Sequence, residues 1–376
     1  GDRITPGQIS LVESGRSNPS MDLLEYLANA LQTSVEYLME SEETQAEKIC
    51  IYYEQSAETY ILNEDYISAE EYIENALFYA EKYKLEYRKA KNLFLRANIC
   101  NAKNELVLAQ QLYLSANVIF IKRNNFEQII KTFLNLGKIT LSLKAYHSAI
   151  SYLKQAEKVY LYNDIGNDSL LGEIYYEMAQ SYFKIDDTNK SLEYTFLAKQ
   201  KFEQVQDRRE YGKSLISLSK EYNKKGDIAN AIKYSKKSLE VYKELESEKN
   251  VSSIENNLGK LFFEFDNIEE AFKHYNTAKQ IRMRSNDKDV VETMLNICEG
   301  YIKIKEIEKC EKVLEEIRSL IDETNIEQVI EQNLFWYRAY IIKEMQDEAE
   351  NILLETFNLA KANGLYKKMA ELSILL

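Results

Sequence analysis

The chain has 376 residues, a length that suits several domains or a solenoid better than one compact core. It holds only two prolines and eleven glycines, so helix breakers are rare and an all-α protein is expected. A net charge of −13 does not favour a nucleic-acid or membrane-surface binder, and the sequence shows no apolar run of the about 18 residues that a transmembrane helix needs.

The four cysteines, Cys50, Cys100, Cys298 and Cys310, occur without a CxxC pair and without the spacing of a metal site. Free thiols are typical of a reducing cytosol, and no signal peptide is recognisable. The sequence therefore predicts a cytoplasmic location, with no metal and no cofactor.

The first predicted element is a short helix with signals at both ends. Thr5 can cap it, Pro6 suits the first helical position, and Gln8 can complete a capping box with Thr5. Gly15 stands where a helix often ends in a left-handed residue. These signals predict a helix from Thr5 to Ser14.

Two more helices are predicted within the first forty residues. After a polar turn from Gly15 to Pro19, leucine and alanine recur on one face from about Ser20 to Leu31. Ser34 can then cap a short third helix. The segment resembles the second half of the phage-repressor (Xre/Cro-type) helix-turn-helix domain, and the resemblance rests on Ile9, Ser10, Glu13, Gly15, Asn18, Pro19, Ser20, Leu24, Leu27, Ala28, Ala30 and Leu31.

The resemblance implies that residues 1–40 are a partial DNA-binding domain whose first two helices are missing. The helix from Thr5 to Ser14 would be the recognition helix, which enters the major groove. The residues at positions that contact bases or phosphates would be Thr5, Gln8, Leu11, Ser14, Arg16 and Asn18.

The charge of this segment limits what it does alone. Two arginines against six carboxylates give the first forty residues a net charge of −4. Because phosphate contacts dominate affinity for DNA, we expect duplex binding only from a full-length protein that contains the missing helices. The alternative is a repressor-like fold that is kept only as a dimerisation or packing module.

An internal repeat dominates the rest of the chain. A small residue is followed by a second one twelve positions later and by a third after seven more, as in Ala57, Ala69 and Ala76. The copies start 39 to 42 residues apart. Their first positions are Ala57, Ala97, Gly137, Ala179, Ser219, Gly259, Cys298 and Tyr337.

Small residues at this spacing let the two helices of a hairpin approach closely, and each hairpin needs a neighbour to bury its apolar face. An aromatic residue usually lies three positions after the first small residue, where we expect it to fill the gap to the next hairpin. The pattern resembles the tetratricopeptide repeat (TPR) over residues 45–360, although the period exceeds the usual value of about 34. The resemblance implies a right-handed TPR superhelix of about eight hairpins over residues 41–376, with a C-terminal capping helix.

In TPR stacks the first helix of each hairpin, helix A, lines the concave surface. Side chains two positions before or one position after each first small residue are therefore candidate ligand contacts. Amides there could pair with the backbone of an extended peptide, and lysines would favour a carboxylate. The candidates are Asn98, Asn135, Lys138, Gln180, Lys220, Asn257, Lys260 and Asn296. Asparagine at this position could instead only tie helix A to its neighbour.

A truncated Xre-type domain followed by long-period TPRs resembles the RRNPP family of Gram-positive regulators. The resemblance implies a cytoplasmic homodimer, a transcription regulator in quorum sensing whose DNA binding is switched by a short, reimported signalling peptide. Asn135, Asn257 and Asn296 match the family's inner-face asparagines, whereas Glu177 and Ser217 interrupt the row. The alternative is a TPR adaptor that holds a protein partner such as a response regulator, with a vestigial DNA-binding domain.

The remaining polar residues do not indicate an enzyme. His147 and His274 lie on repeat helices among packing residues, and the abundant carboxylates have the helical spacing of solvated faces. The apolar segment Ala370–Leu376 needs a polar cap or a partner at the end of a repeat stack. We therefore expect the C-terminal repeats to take part in a homodimer.

Overall fold

The computed structural model of the chain describes residues 5–321 and 325–375. Every regular element in these ranges is a helix, twenty in all, which confirms the all-α prediction. Three short helices come first: α1 Pro6–Glu13, α2 Met21–Ala30 and α3 Val35–Met39.

The next sixteen described helices pair in sequence order into eight hairpins, as the repeat predicted. A short last helix, α20 Tyr366–Leu372, follows them. The hairpins are α4 Glu42–Leu62 with α5 Tyr66–Lys82, α6 Glu86–Ala102 with α7 Leu106–Lys122, α8 Phe126–Ser142 with α9 Tyr146–Asn163, α10 Asp168–Lys184 with α11 Thr188–Gln204, α12 Arg208–Lys224 with α13 Ile228–Glu244, α14 Glu248–Glu264 with α15 Ile268–Arg284, α16 Val290–Lys303 with α17 Ile307–Leu320, and α18 Ile326–Ile342 with α19 Gln346–Ala362.

The chain divides into two compact units. Unit 1, Gly1–Ile165, contains the three short helices and the first three hairpins. Unit 2, Gly166–Leu376, contains the other five described hairpins and α20.

The ends of the first helices follow the sequence signals. Thr5 and Gln8 form the predicted capping box on α1, and Gly15 after it has a φ of 68°. The hydroxyls of Ser20 and Ser34 accept backbone N–H bonds at the starts of α2 and α3. Local hydrogen bonding alone therefore accounts for where these three helices begin.

The small residues of the repeat mark where the two helices of a hairpin touch. Ala57, Ala97 and Ala179 are fully buried. At Gly137, a Cβ atom would lie 2.7 Å from Cδ2 of Leu153 on the second helix of the hairpin, well inside van der Waals contact. Close approach of the two backbones is thus the reason for the small residues.

The links between helices explain why the repeat needs few glycines. Most links contain one residue in the left-handed conformation, such as Glu64 with a φ of 61° and Asn104 with a φ of 62°. A glycine has this conformation in three of the described links between hairpin helices or before α20, at Gly166, Gly226 and Gly364. The turn is therefore set by tertiary packing rather than by residue type.

The aromatic residue of the repeat packs within its own hairpin as well as between hairpins. Tyr60 packs against the cluster that contains Leu95 and Ile99 of the next hairpin. Tyr301 lies against Phe272 of the preceding hairpin, with ring centroids 4.7 Å apart. In four hairpins the ring also stacks on a ring in the second helix of the same hairpin. The parallel pairs are Tyr60–Tyr72, Tyr182–Tyr194, Tyr222–Tyr234 and Phe262–His274, with ring centroids 5.2–5.5 Å apart. The two rings are twelve residues apart, so they repeat the spacing of the small residues.

Helix α20 covers the end of the last hairpin. Leu372 is buried in one cluster with Ile330, Leu353 and Ala360 of α18 and α19. Part of the apolar C-terminal segment therefore caps the stack, whereas Ile374 is 84% exposed. None of the helices in the described ranges is both long and apolar enough to cross a membrane.

Candidate functional site

Unit 2 carries two cavities at equivalent positions of its repeats. Relative to the first small residue of each hairpin, both are lined from the positions six, three and two residues before it and one residue after it. We call this surface of α10, α12, α14, α16 and α18 the helix-A face of unit 2. Since the positions are equivalent, both cavities open on one side of the hairpin row.

The first cavity has a volume of about 480 Å³ and centres on α12. It brings together two predicted residues, Gln180 and Lys220, and several that were not predicted. Its lining consists of Tyr176, Gln180, Arg209, Lys213, Ile216, Ser217, Lys220, Tyr242 and Asn250. We call it the α12 cavity.

The polar groups of the α12 cavity are partly linked to one another. The Gln180 Nε2 atom donates to the Ser217 hydroxyl over 2.9 Å, which joins α10 to α12. Burial raises the pKa of the Tyr176 hydroxyl, so that group stays protonated at neutral pH. Ser217 breaks the predicted asparagine row, and in the structure it anchors Gln180.

The second cavity has a volume of about 530 Å³ and lies between α16 and α18. We call it the α16–α18 cavity. It includes the predicted residue Asn296, and its lining is more apolar than that of the α12 cavity. The lining residues are Glu292, Leu295, Asn296, Glu299, Glu331, Leu334, Phe335, Tyr337, Arg338 and Leu375.

The charged groups of the α16–α18 cavity are largely compensated. Arg338 makes a two-pronged ion pair with Glu299, and one of its contacts, from Nη2 to Oε1, measures 2.9 Å. The Lys260 ammonium lies 2.6 Å from Glu292. The predicted cation Lys260 is therefore already paired with a carboxylate that lines this cavity.

The predicted asparagines of unit 2 differ from one another. The Asn296 Nδ2 atom donates to Asn256 Oδ1 over 3.1 Å, and Asn256 is buried on α14. This bond ties α16 to α14, as the bracing interpretation expected. Asn257, the next residue on α14, is half-buried on the same helix.

In unit 1 the predicted amides contact a buried tyrosine. The Tyr113 hydroxyl donates to Asn98 Oδ1 within one hairpin. Burial raises the pKa of Tyr113, and a hydrogen bond with Asn135 acts in the opposite direction. Lys138 on the same helix is half-buried. Asn98 and Asn135 thus meet at Tyr113, a convergence that the repeat spacing did not indicate.

The predicted DNA-contacting residues lie at the N-cap of α1, on α1 or just after it, and all are exposed. Several of their polar groups bond within the segment. Gln8 Oε1 accepts from the Thr5 backbone N–H over 2.9 Å, and the Ser14 hydroxyl donates to the Leu11 carbonyl over 3.1 Å. Arg16 and Asn18 are exposed in the following turn.

Arg209 and Lys213 were not predicted, because the predicted ligand contacts were restricted to two positions in each repeat, two residues before and one residue after the first small residue. A signal was present: Arg209, Lys213, Ile216 and Lys220 follow one another at intervals of four, three and four, the spacing of one helix face.

Three carboxylates depart from the expected solvated faces, because Glu54, Glu221 and Glu255 are buried. Glu255 Oε2 lies 2.6 Å from Nδ1 of His274, whose ring stacks on Phe262. His274 is therefore a packing residue, as predicted. No group of three His, Cys, Asp or Glu side chains in the described ranges has the geometry to hold a metal ion.

The sequence and the fold are similar to known repeat proteins. The tetratricopeptide-repeat family matches residues 221–284, from the end of α12 through α15. Protein KINESIN LIGHT CHAIN-RELATED 2 of Arabidopsis thaliana is 22% identical over 194 residues, which are 50% of this chain. The chain spans 29% of the length of that relative.

Three solved structures share the fold at low identity. The apo form of the quorum sensor NprR from B. thuringiensis has a TM-score of 0.51 and 12% identity, over 86% of this chain and 96% of NprR. Aspartyl phosphate phosphatase F from Bacillus subtilis has a TM-score of 0.54 and 15% identity, over 89% of this chain and 88% of the phosphatase. A signal-transduction ATPase with a tetratricopeptide repeat sensor from Pyrococcus horikoshii has a TM-score of 0.55 and 14% identity, over 82% of this chain and 57% of the ATPase chain. At these identities the chain shares with them the fold alone, a row of tetratricopeptide-type helical hairpins.

Proposed function

We propose that this chain is a peptide-responsive regulator whose helix-A face in unit 2 binds a short, extended peptide. One observation carries the proposal: two cavities of ligand-pocket size, about 480 and 530 Å³, occupy equivalent repeat positions and are lined by amide, cationic and apolar groups. The fold similarity to a protein described as a quorum sensor supports the same class of function. The regulator acts in the cytoplasm.

The peptide would be about five to ten residues long, because packed helices lie about 8–10 Å apart and an extended residue spans about 3.3 Å. Loss of one buried amide that pairs with its backbone costs about 1–3 kcal/mol, or about five- to a hundred-fold in affinity. Asn257→Ala should therefore weaken peptide binding with little change in melting temperature.

Asn296→Ala removes the bond to Asn256 as well, so it should lower both the affinity and the melting temperature. The test selects a binder from a synthetic library of extended peptides on the immobilised chain and measures it by calorimetry, beside a thermal melt of each variant. A lower melting temperature with unchanged affinity for both variants would mean that these asparagines only brace the stack.

In the full-length protein, we propose, peptide binding switches the DNA binding of a helix-turn-helix domain to which residues 1–40 belong. The 376-residue chain should show negligible affinity for duplex DNA at physiological salt, because its first forty residues carry a net charge of −4. Thr5, Gln8, Leu11, Ser14, Arg16 and Asn18 would contact DNA only in the full-length protein. Salt-sensitive nanomolar binding by the 376-residue chain alone would contradict this proposal.

The second candidate is an adaptor that binds a protein partner such as a response regulator. The capping box favours it, because Gln8 would have to leave the Thr5 N–H in order to read a base. A gel-shift selection on genomic DNA with the full-length protein, with and without peptide, separates the two. Sequence-specific retention supports the regulator, and its absence supports the adaptor.

A homodimer belongs to the same proposal, since dimeric regulators read two-fold operators. Light scattering should report twice the chain mass at tens of micromolar. If the C-terminal repeats form the contact, deletion of Leu365–Leu376 should abolish it. Leu376 lies outside the described residues, and Ile374 offers an exposed apolar side chain for such a contact.

A further inference from the structure

The α12 cavity differs from the rest of this acidic chain in its charge. Arg209, Lys213 and Lys220 approach it from one face of α12, and its lining contains no carboxylate among the residues that the structure describes. Lys213 is paired over 2.5 Å with Glu210 on the same helix. The other two cations are the unusual ones.

Arg209 and Lys220 make no ion pair with any described residue, whereas many other cations of unit 2 are matched by acids. Lys260 is paired with Glu292, for example, and Lys303 with Asp266. Two unmatched cations beside the half-buried Tyr176 form a site with a preference for a negative group.

The α16–α18 cavity has the opposite character. Among the described residues that line this cavity, Arg338 is the one cation, and two of its nitrogen atoms contact the Glu299 carboxylate. Glu292 and Glu331 also line the cavity. A ligand carboxylate there would meet acids of its own sign. An apolar side chain would instead meet Phe335 and its leucine neighbours.

We propose that the α12 cavity is the subsite for a carboxylate of the ligand and that the α16–α18 cavity takes an apolar side chain. This proposal rests on the proposed function and adds the orientation of the bound peptide to it, because the two different cavities allow the ligand to lie along the helix-A face in only one direction. The carboxylate comes from the peptide's C-terminus or from an aspartate or glutamate side chain.

Three pools of N-acetylated hexapeptides test this on the immobilised chain. The first has free C-termini and no acidic residues, the second has amidated C-termini and one Asp or Glu, and the third has amidated C-termini and no acid. We expect at least five-fold greater retention of the first or second pool than of the third, and the preferred pool identifies the source of the carboxylate.

The double variant Arg209→Gln/Lys220→Gln should abolish the preference. Lys233→Gln/Lys237→Gln is the matched control, since both lysines are exposed on α13 and their loss removes the same two charges outside the cavity. Equal retention of all three pools, or a preference that survives the double variant, overturns the subsite and leaves the proposed function standing. Retention of none of the pools overturns both.

A different observation concerns the outer face of α7 in unit 1. Five of its exposed side chains are apolar, with exposed fractions between 40% and 62%: Val107, Leu108, Leu114, Val118 and Ile121. The polar side chains Gln111, Ser115 and Lys122 are exposed beside them. An amphipathic helix normally turns its apolar face toward a packing partner.

The flanking hairpins differ from α7 at the centre of this face. The repeat position of Leu114 is occupied by Glu74 in α5 and by Lys154 in α9. The position of Val118 is occupied by Lys158 in α9 and by the exposed Phe78 in α5. Leu114 is therefore an apolar side chain at a position where both flanking hairpins carry a charge.

The order of residues on α7 is self-complementary. Val107, Leu114 and Ile121 are spaced by seven, so they lie on one stripe with Leu114 at its centre. If two copies of α7 pack antiparallel about a two-fold axis at Leu114, Val107 meets the partner's Ile121. Glu105 then meets the partner's Arg123, whose pairing with Glu86 in this chain is a loose 3.7 Å.

The geometry points to a second copy of this chain as the occupant of the α7 face. Such a two-fold contact has the same patch on both subunits, and charge and apolar order match in the antiparallel direction only. Exposed apolar side chains at the neighbouring ends, such as Phe78 and Leu161, extend the patch toward the area that a stable dimer needs.

Leu114→Cys gives a direct test, because the four native cysteines are buried and free. On mild oxidation we expect a disulfide-linked dimer through position 114. Lys154→Cys, at the same repeat position of α9, should cross-link at least ten-fold less. Leu114→Glu should halve the mass seen by light scattering without lowering the melting temperature. Equal cross-linking of the two cysteine variants, or a dimer that persists in Leu114→Glu, overturns the proposal.

Discussion

The N-terminal segment, residues 5–40, and the hairpin array, residues 42–362, are both helical, but different interactions hold their helices in place. In α1 every side chain is exposed or half-buried, and the helix depends on its capping box. In the array each helix buries small and large apolar residues against a neighbour, as Ile73, Leu136 and Leu215 do. Helix α1 therefore depends on its own ends, whereas α2, which buries Leu23, Leu24 and Ala28, and the helices of the array depend on packing against their neighbours.

The two regions meet through few polar contacts. The Gln45 side chain donates to the Tyr37 carbonyl over 3.4 Å, and Lys48 on α4 is paired with Glu40. Exposed contacts of this kind contribute little stability. A change in the array should therefore affect global unfolding, whereas a change in the N-terminal segment should affect only local order.

The largest effect is expected at a buried charge of the array. Glu54 on α4 accepts from Arg88 over 3.0 Å and from Asn92 over 2.9 Å, and it is 4% exposed. Glu54→Ala takes one acceptor from the fully buried Asn92 amide and leaves Arg88 paired only with Glu47, at 3.1 Å, so it should cost about 3 kcal/mol in denaturant unfolding.

The control for Glu54→Ala is Glu127→Ala, which removes an exposed ion pair to Lys131 on α8. That change should cost only about 0.3–0.5 kcal/mol. Equal losses in the two variants would show that burial is not the reason for the sensitivity of Glu54.

The second effect depends on pH. Glu221 is 1% exposed, and burial raises its pKa to about 7, above an ordinary value near 4.5. The Thr195 hydroxyl lies 2.6 Å from Glu221 and 2.8 Å from the Ser191 carbonyl. Because that hydroxyl has only one proton, a protonated Glu221 is needed to complete both hydrogen bonds.

The folded state therefore keeps this proton after the unfolded chain has released it. The free energy of unfolding should fall by about 3 kcal/mol as pH rises from about 4.5 to about 7, and then level off. Glu221→Gln, which is neutral at every pH, should remove this part of the pH dependence. Urea unfolding of both proteins at pH 5 and pH 8 tests it: an equal loss of stability between pH 5 and pH 8 in the wild type and in Glu221→Gln contradicts the assignment.

The third prediction makes the same substitution in the two regions and expects opposite signs. Gly137→Ala places a methyl group against Leu153 inside a hairpin, so it should cost about 1–3 kcal/mol. Gly7→Ala in α1 meets only Thr5 Oγ1 at 4.0 Å, so it should favour the helix by up to about 1 kcal/mol.

Thermal melts should show a loss for Gly137→Ala and no measurable change for Gly7→Ala, whose effect is confined to α1. Circular dichroism of the latter should show equal or slightly greater helicity. A stabilised Gly137→Ala variant would mean that the hairpin can widen without cost.

Features carried by a fixed spacing were predictable from sequence. The small residues gave the eight hairpins, because close approach of two backbones excludes larger side chains at those positions. The capping box of Thr5 and Gln8 was predictable because both partners lie within one turn.

Features that depend on contacts between hairpins were not predictable. Glu221 is buried because Thr195, which is 26 residues away on the preceding hairpin, covers it. The candidate site shows the same limit: the spacing selected Gln180 and Lys220, but the cavity also needs Arg209 and Tyr176, whose convergence depends on how α10 packs on α12. Asn296 was selected for a ligand, yet its amide binds Asn256.

The smallest effect concerns helix ends in the two regions. Thr5 caps α1 with its hydroxyl 3.4 Å from the Gln8 N–H, and Asp65 caps α5 with its carboxylate 3.2 Å from the Ser68 N–H. Loss of such a cap costs about 0.5–2 kcal/mol of helix stability. In α5 the helix and the array unfold together, so Asp65→Ala should lower the stability of unit 1 by about that amount.

In α1 the loss of the cap should not change the free energy of global unfolding, because α1 contributes few buried contacts. Thr5→Ala should therefore leave the melting temperature within about 1 °C and should speed hydrogen exchange only at the amides of α1. Exchange measured by NMR or mass spectrometry, together with a melt of both variants, checks the difference. A drop in melting temperature for Thr5→Ala as large as that for Asp65→Ala would show that α1 is packed into the cooperative unit and that the N-terminal segment does not stand apart from the array.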